Sequence, residues 1–127
     1  MMHVLIVTNI SLTDDFSLHT ADVIGHNQYA MFGTISDKEI VYRLFANEDT
    51  IFDKKIDDEE FDAILYVLEK DEWPREHILE RLFKLKTNNV LCNSAFSDND
   101  YAYKYCYSDL SHEWNTYQVT KKVSQDA

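Results

Sequence analysis

Two glycines and one proline are all that 127 residues contain. Phosphate-cradling loops need several glycines, because only a backbone without Cβ atoms can close around the anion. Gly25 and Gly33 fit neither G-x-G-x-x-G nor P-loop spacing, so dinucleotide and Walker-type nucleotide binding are excluded. Long flexible linkers are not expected either, and no internal repeat is visible. Cysteine is equally scarce: Cys92 and Cys106 stand at no metal or redox spacing and read as small hydrophobes. The five histidines, His3, His19, His26, His77 and His112, show no metal-ligand spacing and read as structural. A Cys106–His112 nucleophile–base pair would lack both an orienting third group and an oxyanion hole. No cofactor is expected.

Long apolar runs are missing as well; none approaches the ~18–20 residues that span a bilayer. Met1-Met2-His3 leads into a short apolar stretch with no Lys or Arg before it, too brief for a secretory h-region. A cytoplasmic, reducing setting is the expectation.

Cationic charge is the last deficit. Residues 1–36 hold no Lys or Arg; residues 37–76 hold fourteen acids against six basic residues, a net of −8; from 77 onward six of each cancel. With a formal net charge of −11, the chain repels phosphate backbones, whose binding needs cations that displace counterions. Direct nucleic-acid binding is not expected. A protein partner with a basic surface is.

What is present predicts an α/β (or α+β) fold: one small domain over 1–123 and a frayed tail at 124–127, with a mixed β-sheet, two to three helices and a C-terminal β-hairpin. "HVLIVTN" reads as a buried strand. Thr13 is a candidate helix cap, with Asp14 and Asp15 in the first turn and Gly25 as the stop. "QYAMFGTIS" and "EIVYRLFA" flank Ser36-Asp37-Lys38 and predict a hairpin. "FDAILYVLE" fits either a helix, started by Asp57 and Glu60, or a buried parallel strand. The strand is preferred, because Pro74 opens a helix over "REHILERLFKLK" and "NNVLCNSAF" supplies a second strand, completing a βαβ crossover.

Parallel strands over 3–9, 62–69 and 89–96 would bring Asp14, Asp15, Asp71, Glu72, Asp98 and Asp100 to one sheet edge, where a divalent cation is conceivable. The layout resembles metallophosphoesterases, but Asn9-Ile10-Ser11 stands where that family has Asp-x-His. Asn93-Ser94-Ala95-Phe96 stands where it has Gly-Asn-His-Asp. No metal site is carried over, and helix caps and loops account for these carboxylates.

Two features carry the functional expectation. One is the acidic run Asp57, Asp58, Glu59 and Glu60, with Glu48, Asp49 and Asp53 before it. Such runs are usually solvated loops; here the run also suits imitation of nucleic-acid phosphates toward a basic groove. The other is Tyr101, Tyr103, Tyr105 and Tyr107, which share one face of a strand while Ala102, Lys104, Cys106 and Ser108 share the other. That face either packs under a helix or binds a protein, with the Ala–Cys side meeting the core in the second case. As a compositional class, small acidic chains without motifs resemble bacteriophage anti-defence proteins, including DNA mimics. The resemblance implies an inhibitor or modulator of a nucleic-acid-handling protein. The alternatives are a metal-dependent α/β enzyme using the strand-end carboxylates and a structural subunit; a homodimer is left open, and no membrane partner is expected.

Overall fold

A computed structural model describes residues 2–9, 40–69, 71–95, 100–108 and 115–122. Four strands run parallel: β1 (Met2–Thr8), β2 (Ile40–Asn47), β4 (Ala63–Val67) and β6 (Val90–Cys92), with the two-residue β3 (Glu60–Phe61) just before β4. Helix α1 (Glu76–Lys84) and the short β5 (Lys86–Thr87) connect β4 to β6. β8 (Asn115–Lys121) pairs antiparallel with β6, and β7 (Tyr101–Ser108) pairs antiparallel with β8. The six-stranded order is β2-β1-β4-β6-β8-β7, and β3 pairs with β5 in a separate ribbon. The fold is therefore mixed α/β, and the βαβ unit β4–α1–β6 matches the preferred reading of "FDAILYVLE".

The apolar runs explain why these segments sit centrally. Val4 to Val7 in β1 and Ala63 to Val67 in β4 are wholly buried on both faces, which suits interior parallel strands. On one face Leu5, Val7, Ile64, Tyr66, Val90 and Cys92 join Ile78, Leu79 and Leu82 of α1 in the main core. Those helix residues recur at i, i+1 and i+4, the inward stripe of an amphipathic helix. Pro74 sits just before the N-cap Arg75, and Lys84 complements the carbonyl end.

α1 is the one α-helix among the described residues, against an expected two to three. The helix expected from Thr13, the first arm and turn of the hairpin before β2, and the tail from 123 onward lie outside them. β2 itself pairs parallel with β1. The expected C-terminal hairpin corresponds to the antiparallel pair β7–β8, whose connecting residues 109–114 also lie outside. Among the described residues no helix is long and apolar enough to cross a membrane.

Candidate functional site

The acidic run belongs to the connection from β2 to β4, which passes β1 without forming an α-helix. Two 3-10 turns, Thr50–Phe52 and Lys54–Ile56, take the helix's place. Asn47 starts the first: its Oδ1 accepts from the backbone N–H groups of Asp49 (2.8 Å) and Thr50 (2.7 Å), while Thr50 Oγ1 accepts from Asn47 N (2.9 Å). Asp53 caps the second by accepting from Lys55 N at 3.0 Å. Ile51 and Ile56 are buried and root the segment in the main core.

Arg81 of α1 supplies the third anchor. Its Nε donates to the Ile51 carbonyl (2.7 Å), one terminal nitrogen to the Asp53 carbonyl (3.3 Å), and the other pairs with Asp57 Oδ1 (2.5 Å). Its guanidinium also lies over the Phe52 ring, 5.9 Å from the centroid. One planar fork thus fixes three points of the segment, which a lysine's point charge would not do.

The crossover sorts its carboxylates. Asp49, Asp53, Asp57, Asp58 and Glu60 face solvent, alongside Lys54 and Lys55. Glu59 is half-buried, its Oε2 3.8 Å from His3 Nε2. Glu48 turns inward and accepts from the Tyr66 hydroxyl at 2.6 Å, with Arg75 Nε 4.0 Å away. Burial first, and then the Glu48 carboxylate, push the Tyr66 phenol well above its ordinary range.

Strand β7 divides its tyrosines. Tyr101 is 2% exposed and belongs to the main core, its ring 5.5 Å from that of Phe83 on α1. Tyr103 is half-buried against the same core, while Tyr105 is 55% exposed and meets Tyr117 edge-on at 6.0 Å. The tyrosine side, not the Ala102–Cys106 side, is the one that α1 covers, because Phe83 reaches over Tyr101 and removes more apolar area from water than Ala102 offers. Past Tyr105 the register shifts, so Tyr107 pairs with Thr116 and the period of two is interrupted at Cys106. The side chain of Tyr107 lies outside the described residues.

The sheet's carboxyl edge is tied together by amides. Asn93, just after β6, accepts from Leu68 N (2.8 Å) and donates to Leu68 O (2.7 Å); Asn9, just after β1, accepts from Glu69 N (3.0 Å). These bonds link the three strand ends that flank the reversal in strand order, where open α/β sheets ordinarily keep a ligand crevice. Asp71 and Glu72 are exposed there, Asp71 in a left-handed conformation (φ 69°) that suits an aspartate in a turn. Asp100 is not with them. Its carbonyl accepts from Lys122 at the end of β8, which runs antiparallel to β6, so Asp100 sits at the opposite, amino edge. Among the described residues no three His, Cys, Asp or Glu side chains converge to hold a metal. Asp14, Asp15, Asp98, His19, His26 and His112 lie outside them.

Phe52 and Arg81 are the residues that sequence reasoning passed over. Arg81 had a signal: it borders the apolar stripe of α1, where a lone arginine downstream of an acidic run invites an ion pair. Phe52 had little signal, since one aromatic in "TIFDKK" reads as core. It is 49% exposed. Compared with protein-family models, with curated proteins and with solved structures, the chain matches none.

Proposed function

We propose that this chain acts by protein–protein binding, as an inhibitor or modulator of a nucleic-acid-handling protein whose basic surface it engages through residues 48–60. The observation that supports the reading is the pinning of the crossover: five solvent-facing carboxylates ride on a segment fixed by Ile51, Ile56 and Arg81. A charge array already held in one geometry loses little entropy on docking. Its field also steers a cationic surface into encounter and turns away phosphate. Tyr105 offers an exposed aromatic contact, bordered by the half-buried Tyr103; Tyr101, in the core, contributes to stability instead.

The test is capture from a bacterial lysate on the immobilised chain, repeated with Asp49 and Asp58 reversed to lysine. A protein retained by the wild type and released by the reversal, whose own nucleic-acid binding is blocked by the free chain, supports the reading. Equal retention by both forms, or nucleic-acid binding left intact in the captured protein, refutes it.

A further inference from the structure

We propose that Phe52 is the anchoring contact of the crossover face, receiving an apolar side chain that a cationic partner segment carries between lysines or arginines, and that Arg81 is its positioning residue. The inference rests on the binding reading above and names the chemistry of the partner. Its starting point is an anomaly of burial. In the sequence Thr50-Ile51-Phe52-Asp53, Ile51 is fully buried while the larger Phe52 keeps 49% of its surface in water.

The exposed ring is nevertheless held. The His77 imidazole stacks on it with centroids 6.4 Å apart and planes 8° from parallel, and the Arg81 guanidinium lies 5.9 Å from its centroid. Arg81 in turn holds the backbone on either side of Phe52, through the carbonyls of Ile51 and Asp53. An immobilised, half-exposed aromatic is the form that binding anchors take, since its ordering cost is already met within the free protein. Trp73 and Tyr105 are exposed to a similar degree, but only Phe52 lies within the pinned crossover. Charge selects the occupant: Asp57 is taken up by Arg81, and the crossover's other solvent-facing carboxylates, Asp49, Asp53, Asp58 and Glu60, outnumber Lys54 and Lys55. An apolar residue flanked by cations satisfies ring and carboxylates together, whereas an anionic or purely apolar segment satisfies one at most.

Two fluorescent peptides of equal length and charge serve as probes, one of lysine and glycine and the other with leucine in place of glycine. Anisotropy titrations at about physiological salt compare the wild type with Phe52→Ala, Arg81→Lys and the Asp49→Lys/Asp58→Lys pair. The wild type is expected to bind the leucine peptide about tenfold more tightly than the glycine peptide. Phe52→Ala removes that margin and leaves the glycine peptide unaffected. Arg81→Lys lowers the margin and speeds amide exchange at Asp53 and Ile56, a change that Phe52→Ala does not produce. No margin in the wild type, or a margin that survives Phe52→Ala, overturns the inference while the charge reversal still weakens both peptides. Charge reversal without effect on either peptide refutes instead the binding role of residues 48–60.

Discussion

Tyr101 and Tyr105 are the same side chain, four residues apart on one strand, in opposite environments, and their truncation separates core from surface. Tyr101→Ala removes a ring that is 2% exposed and stacked 5.5 Å from Phe83. Loss of a buried aromatic with the cavity it leaves costs about 3–5 kcal/mol. For a domain of this size each kcal/mol moves the melting temperature by roughly 3–5 °C, so a fall on the order of 10–20 °C is expected. Tyr105→Ala removes a ring that is 55% exposed and meets Tyr117 edge-on at 6.0 Å. Its cost is expected to stay below about 1 kcal/mol. Urea unfolding followed by circular dichroism reads both, with the m-value checking that the unfolded reference is unchanged. Equal losses for the two variants would refute the reasoning. So would a loss below about 1 kcal/mol for Tyr101→Ala at constant m, since the pocket under Phe83 would then close without penalty.

Asn93→Ala leaves the buried Leu68 N–H without its 2.8 Å acceptor; a loss of about 1–3 kcal/mol in urea unfolding is expected, and one below about 0.5 would mean that water replaces the amide. Tyr66→Phe deprives the inward Glu48 of its 2.6 Å donor. A double-mutant cycle with Glu48→Ala is expected to show coupling of at least about 0.5 kcal/mol, and simple additivity would deny the bond an energetic role. Alkaline pH supplies a third test. Burial pushes the Cys92 thiol from 9.0 up to about 12 and the Tyr66 phenol above its usual 10.0. The native state therefore keeps protons that the unfolded chain releases. Stability from these groups is complete below about pH 9 and falls as pH rises, by roughly 1 kcal/mol per pH unit for each group. Cys92→Ala is expected to delay the fall to about pH 10; a urea midpoint flat from pH 8 to 11 would contradict both shifts.

The parallel core was legible because its signal is local and strong. "HVLIVT" and "DAILYVL" carry continuous apolar runs that suit doubly covered strands, the second preferred over a helix because of the helix and strand that follow it, and Ile78, Leu79 and Leu82 repeat at helical spacing. The crossover was not legible. Asp57 and Glu60 mimic a capping box, but the buried Ile51 and Ile56 root the chain before it and Arg81 binds two of its carbonyls, so tertiary contacts decide its shape. The tyrosine strand was read with a period of two, which holds as far as Tyr105, and with its cover left open: alternation defines two faces, but the reach of Phe83 from a separate element decides that the face of Tyr101 is buried. Asp100 was misplaced for a related reason. Proximity in sequence to β6 says nothing about a chain that has already crossed to the other end of the sheet.

The interruption at Cys106 has a further consequence, for aggregation. β7 is eight residues long, rich in tyrosine and, among the described residues, paired with β8 alone. Such an edge offers backbone N–H and C=O groups to any extended chain and is a template for runaway strand addition. Here Lys104 sets an exposed charge in the middle of the strand, and two residues later, at Cys106, the register of Tyr101–Tyr105 is lost. A flat strand laid along β7 finds regular backbone spacing over Tyr101–Tyr105 and then meets the extra residue Cys106. The offset at Cys106 thus also works against regular stacking of copies of this strand.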